Sequence, residues 1–196
     1  MKKIALLSIM MIMIVTLAGC KKGTLTIKTS SVSENTMLIK KDGRVQVAIV
    51  DTFDKSYYSV DEIDSYIKDE LTKFNQTVNN NDAIKLVDLE KVKDNIVMVL
   101  EYQTFDYYTQ FNKVEGNYYS TLTSEVQSKL PQILFNTKDE AIQGSEVTFE
   151  ENYKVVELKE EYNLMIDGKI KYYNNGERSD NNQIKSQASG TVVVFE

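Results

Sequence analysis

Eight of the twelve tyrosines stand as adjacent pairs, Tyr57-Tyr58, Tyr107-Tyr108, Tyr118-Tyr119 and Tyr172-Tyr173. An exposed tyrosine combines a flat apolar ring with a hydroxyl, a combination suited to contacting a glycan or a peptide. Neighbouring side chains point to opposite faces of a strand and diverge by about 100° on a helix. Each pair can therefore place one ring in the core and one in solvent. The competing account is structural: a chain without tryptophan fills its sheet edges with tyrosine. Two pairs share a context, Phe53-Asp54-Lys55-Ser56-Tyr57-Tyr58 after one apolar run and Phe105-Asp106-Tyr107-Tyr108 after another. The candidate ligand contacts are accordingly Asp54, Tyr57, Tyr58, Asp106, Tyr107 and Tyr108. At one end of a sheet, Asp51, Asp54, Glu101 and Asp106 would ring an aromatic floor, a cleft for a polar ligand or for hydrolysis by a pair of carboxylates. Strand direction argues against that arrangement, because a hairpin return would send 95–102 antiparallel to 45–52 and separate the clusters.

Other chemistry is excluded by composition. The chain has no histidine, so Ser-His-Asp triads, Cys-His dyads and histidine-bearing zinc sites cannot be built. Ser65-Tyr-Ile-Lys68 lies within an amphipathic stretch without companion motifs, and Asp180-Asn181-Asn182 lacks the glycine and distal glutamate of a calcium loop. No catalytic residue, metal or other cofactor is expected. Acidic residues outnumber basic ones 29 to 23, which disfavours nucleic acid as a partner.

The elements that position these residues begin with a targeting segment. Lys2 and Lys3 precede an apolar stretch and then Leu17-Ala18-Gly19-Cys20, the layout of a cleavable signal. The string resembles the lipobox of bacterial lipoprotein precursors. That resemblance implies cleavage before Cys20, a diacylglycerol (with palmitate-type chains) on its sulfur, and a mature protein on the extracytoplasmic face of the cell membrane. The sole cysteine is then consumed by lipidation. Two acyl chains are what stable anchoring needs. Residues 1–19 are thus read as the signal, 20–35 as lipidated cysteine and tether, and 36–196 as a single domain. A brief strand at 24–28 is the alternative within the tether. Without the signal, 21 basic residues face 29 acidic ones, a net charge of −8.

The domain reads as α+β, a mainly antiparallel sheet built from hairpins with one long amphipathic helix and short helices. Asp42-Gly43 supplies the turn of a hairpin over 36–52. Ser59-Val-Asp-Glu62 has the form of a capping box, and Ile63, Tyr66, Ile67, Leu71, Phe74 and Val78 form the stripe of a helix over about 60–78. A second hairpin joins 83–92 to 95–102, and short helices are expected at 105–112 and 120–129. A further hairpin is read over 154–173 around Asp167-Gly168, a polar turn region over 174–189, and a last strand at 191–195. Lys41 to Tyr58, with the acidic helix and Phe74-Asn75 behind it, resembles a group of uncharacterised lipoproteins of gut-dwelling clostridia. The Lys, Asn, Ile and Tyr richness suits an AT-rich Firmicute genome. The resemblance implies a membrane-anchored extracytoplasmic domain, brings no activity with it and assigns no residue a role. The residues themselves favour a non-catalytic domain that contacts an envelope protein or glycan, with a small hydrolase using paired carboxylates as the alternative. On the residues alone, at least one ring of Tyr57-Tyr58 should stay exposed, because the helix stripe begins only at Ile63.

Overall fold

The computed structural model describes residues 25–148, 150 and 152–196; the lipobox and Cys20 lie outside them. The described chain runs β1 (Thr36–Ile39), β2 (Val45–Thr52), α1 (Val60–Thr77), β3 (Ile84–Val92), β4 (Asn95–Tyr102), α2 (Phe105–Asn112), β5 (Gly116–Tyr119) and α3 (Ser124–Gln127). It continues through β6 (Ile133–Asn136), β7 (Ala141–Gln143), β8 (Lys154–Leu158), β9 (Asn163–Ile166), β10 (Ile170–Asn174), β11 (Gly176–Asp180), β12 (Gln183–Ser186) and β13 (Thr191–Phe195). The class is α+β, with α1 the one long helix among the described residues. The sheet is not single, however. Seven strands lie in the order β11-β12-β9-β1-β2-β4-β3 and six in the order β5-β8-β13-β10-β6-β7. The first is mixed, because β1 runs parallel to β9.

The first hairpin closes as its turn dipeptide requires. Gly43 takes φ 86, a left-handed angle that costs glycine nothing, and its N–H donates to the Lys40 carbonyl at 3.0 Å. The hairpin β3–β4 turns at Lys93, also left-handed. Between these hairpins, α1 starts where the Ser59 hydroxyl accepts the Glu62 N–H at 3.3 Å, and only that half of the expected box is formed among the described residues. Its buried face is Leu71 and Asn75, flanked by half-buried Ile67, Phe74 and Val78. The Asn75 carboxamide takes the place of a strand neighbour at the start of β3, bonding both the N–H and the carbonyl of Ile84.

The core lies between the sheets, with Met37, Ile39, Val47 and Leu100 on one side and Val156, Leu158, Val193 and Phe195 on the other. The six-stranded sheet is covered on its second face too. Val155 and Val194 pack there with Leu134 against Leu122, Val126 and Val147 from the α3 region. On the far face of the seven-stranded sheet, Ile27 packs on Leu38, Ala48 and Val99, with Leu25 and Val32 beside it. Ile27 donates its N–H to Gln46 Oε1 at 3.0 Å, and the Thr29 hydroxyl meets the carboxylates of Asp88 and Glu90. The stretch read as tether is therefore a strap from Leu25 onward, laid on the sheet by its few apolar residues. Residues 25–28 form no strand.

Two further expectations change. The hairpin over 154–173 does not exist: β8 and β10 belong to the six-stranded sheet, and β9 between them belongs to the other. Asp167-Gly168 is a crossover between sheets, where the Asp167 N–H donates to the Ile39 carbonyl and Lys169 pairs with Glu196. The polar region 174–189 contains the β11–β12 hairpin, whose buried contacts are confined to Ile184 and Ser186. No helix among the described residues is long and apolar enough to cross a membrane.

Candidate functional site

The register of β2 against β4 decides which candidate residues meet. Thr52 lies opposite Asn95 and Val45 opposite Tyr102, so the loop after β2 and helix α2 after β4 leave from opposite ends of the pair. Seven residue steps at about 3.4 Å put those ends roughly 24 Å apart. Asp51 and Asp54 therefore do not converge with Glu101 and Asp106, and the carboxylate pair of a glycosidase-like site, separated by roughly 5–10 Å, is not assembled.

Glu101 has a structural occupation instead. Its Oε2 accepts from Lys40 Nζ at 2.5 Å and Gln46 Nε2 at 2.8 Å, and its Oε1 accepts from Arg44 Nη1 at 3.2 Å. Burial pushes the Glu101 pKa up, but the bonds from Lys40 and Gln46 and the charges of Lys40 and Arg44 bring it below the usual glutamate value.

The α2 candidates are absorbed by packing to different degrees. Tyr108 is 1% exposed, set edge-on to Tyr102 at 5.4 Å with its hydroxyl 3.5 Å from that of Tyr162, and burial pushes its phenol far above the usual range. Tyr107 is half-buried against Phe74, and its hydroxyl accepts from Asn80 Nδ2. Asp106 is exposed in the first turn of α2, where the helix dipole favours its charge and the Thr104 hydroxyl caps the Tyr107 N–H. As a ligand contact Tyr108 is corrected to scaffold; Tyr107 keeps a partly exposed ring and Asp106 an exposed carboxylate, at the opposite end of the β2–β4 pair from Asp54, Tyr57 and Tyr58. Tyr118-Tyr119 and Tyr172-Tyr173 are scaffold for a different reason: their sheet is covered on both faces, so each pair sends one ring into the core between the sheets and the other into the outer cluster.

The loop after β2 behaves otherwise. Phe53 is buried and its N–H donates to the Asp94 carbonyl at 2.6 Å, which ties the loop to the β3–β4 turn. Lys91 Nζ stands 5.2 Å from the Phe53 ring centroid. Tyr58 stacks on Phe53 at 5.1 Å and Tyr57 meets Tyr58 edge-on at 5.0 Å, so three rings climb from core to solvent. The Tyr58 N–H donates to the Lys55 carbonyl, and the Ser59 cap closes the loop onto α1. Tyr57 is 75% exposed and Tyr58 43%. Asp54 is exposed and paired with Lys55 at 3.1 Å.

A third ring joins them. Tyr66, assigned by its spacing to the core stripe, is 64% exposed. It sits about 100° around the helix from Ile67, at the margin of the buried face. Tyr57, Tyr58 and Tyr66 line a shallow depression of about 350 Å³ with Ser59, Glu62 and Ile63. Glu62 is the only charged residue in that lining. The site offers ring faces and phenol hydroxyls, and its one aliphatic hydroxyl, that of Ser59, serves as the helix cap that accepts the Glu62 N–H. Among the described residues, no group of three or more Asp, Glu, Cys or His is placed to hold a metal ion. No family model, curated protein or solved structure matches this chain.

Proposed function

We propose that this chain is a lipoprotein held on the extracytoplasmic face of the cell membrane through Cys20, and that its domain is a non-catalytic binding module for an envelope protein or glycan. The contact surface is Tyr57, Tyr58 and Tyr66, with Glu62 within it and Asp54 on the same loop. The observation that carries the reading is the exposure of three tyrosines around one depression, while the other tyrosine pairs are taken up by packing. Exposed aromatic area grouped in this way is the composition of an interface core. The loop is tied at Phe53 and capped at Ser59, so ordering it costs little when a partner binds.

The test compares capture from detergent-solubilised envelope by the lipidated wild-type protein and by the double variant Tyr57→Ala/Tyr66→Ala. The expected result is a partner, identified by crosslinking to wild type, that the variant loses while keeping its melting temperature. Equal capture by both proteins would remove the patch from the proposal.

A further inference from the structure

A second site lies where the two sheets are joined. Asn175 alone links β10 in one sheet to β11 in the other, and it does so in the left-handed region, at φ 52. Its carboxamide donates to the Gly190 carbonyl at 2.6 Å and to Ser189 Oγ at 2.8 Å, and its own carbonyl accepts from the Thr191 hydroxyl at 2.6 Å. The corner is thereby fixed from the β13 side. A cleft of about 520 Å³ opens there, lined by Phe135, Asp139, Tyr173, Asn175, Glu177 and Gln187 among others. That volume falls within the range of small-molecule sites.

The polar groups are arranged for a ligand that both donates and accepts. Asp139 Oδ1 receives the Tyr173 hydroxyl at 2.6 Å and Arg178 Nη2 at 3.3 Å. The Tyr173 bond, aided by Arg178, holds the carboxyl below the usual aspartate range. No hydrogen bond among the described residues uses Asp139 Oδ2, the Glu177 carboxylate or the Gln187 carboxamide. Phe135, half-buried and backed by the Tyr173 ring at 5.8 Å, supplies an apolar wall.

Each simpler ligand class meets an obstacle. An anion would face Asp139 and Glu177. A cation would meet Arg178, which already neutralises Asp139 and lies over the Tyr173 ring at 6.0 Å. An apolar molecule would strip water from two carboxylates and an amide and return no bonds. A pyranose meets all of these demands: its hydroxyls donate to the carboxylates and accept from Gln187, and its C–H face covers an aromatic ring. We infer that the cleft at the β10–β11 junction binds a neutral hexopyranose unit of a glycan. This inference does not rest on the tyrosine patch.

The test titrates the full chain, in a detergent without a sugar head group, with methyl glycosides of glucose, galactose, mannose and N-acetylglucosamine, read by amide chemical shifts. At least one glycoside should give saturable shifts centred on Phe135, Asp139, Glu177 and Gln187. Glu177→Gln and Gln187→Ala change exposed or half-exposed side chains and should each weaken that binding tenfold or more at unchanged melting temperature. Tyr57→Ala/Tyr66→Ala should keep the saturable shifts at Phe135, Asp139, Glu177 and Gln187, whatever it does to contacts at the tyrosine patch. Absence of saturable shifts with all four glycosides, binding indifferent to both cleft variants, or loss of the cleft shifts in the tyrosine variant would each overturn the inference.

Discussion

Asn75 in α1 and Ile84 at the start of β3 are joined through both ends of one carboxamide: Asn75 Oδ1 accepts the Ile84 N–H at 3.0 Å, and Asn75 Nδ2 donates to the Ile84 carbonyl at 3.0 Å. Both groups are buried, so truncation leaves a donor and an acceptor without partners, at about 1–3 kcal/mol each. Asn75→Ala should lower stability by about 2–4 kcal/mol, and Asn75→Asp should not rescue it, because its carboxylate keeps the acceptor but turns an oxygen toward the Ile84 and Asn81 carbonyls that Nδ2 bonded. Urea midpoints measure both. A midpoint unchanged in Asn75→Ala would mean that the helix docks by its apolar face alone.

Lys40 is 3% exposed and its charge is answered by Glu101. Because the folded-state pKa of Glu101 lies below its unfolded value, the unfolded chain takes up the proton first as pH falls. The pair's contribution should be complete above about pH 4.3, the ordinary glutamate value, and should fade as pH drops toward the folded value. Glu101→Gln should cost about 3 kcal/mol at neutral pH, since it strands the ammonium. It should also flatten part of the acid limb. Acid limbs of equal slope in wild type and variant would contradict this.

Alkali should act on Tyr102 and Tyr108. Burial raises both phenol pKa values, so the neutral phenols stabilise the fold fully below about pH 10, and that contribution is lost as the pH climbs above it. In a phenolate absorbance titration, at least two tyrosines should ionise only as the domain unfolds. Tyr108→Phe should leave neutral stability nearly unchanged and delay base unfolding.

The two kinds of tyrosine should separate on truncation. Tyr108→Ala empties a packed site and should cost about 3–5 kcal/mol. Tyr57→Ala removes a ring that is 75% exposed and should shift stability by no more than about 0.5 kcal/mol. If thermal melts show similar losses for both, the loop is scaffold.

The proposed membrane attachment rests on Leu17-Ala18-Gly19-Cys20. Cys20→Ala should appear in the soluble fraction or remain unprocessed when cell fractions are blotted. Wild-type processing together with membrane retention in that variant would eliminate the lipid as anchor.

The readable parts of this fold are those governed by neighbours in sequence. Asp42-Gly43 and Lys93-Asp94 close hairpins whose strands do pair, and Ser59 starts α1 one residue later. Asp167-Gly168 carries the same turn chemistry, yet β10 pairs with β13 and β9 with β1, because partner choice depends on surfaces far along the chain. The second sheet escaped notice because several of its strands are only three or four residues long, too short for a clear alternation. At the candidate site, the exposure at Tyr57-Tyr58 follows from a loop preceding the helix stripe. Tyr66 could not be placed by period alone, since a residue at the margin of an apolar stripe is assigned to core or solvent by what lies opposite it.

The docked strap sets how far the domain can travel. Were residues 20–35 a free tether, fifteen peptide steps could extend about 54 Å from the anchor. With Leu25 already seated on the sheet, only five steps separate it from Cys20, a leash of about 18 Å at full stretch. A globule of this chain length has a radius of gyration of roughly 16 Å. On the proposed anchor, then, the leash is comparable to the size of the domain itself, so the domain rolls about its attachment point next to the bilayer instead of ranging away from it.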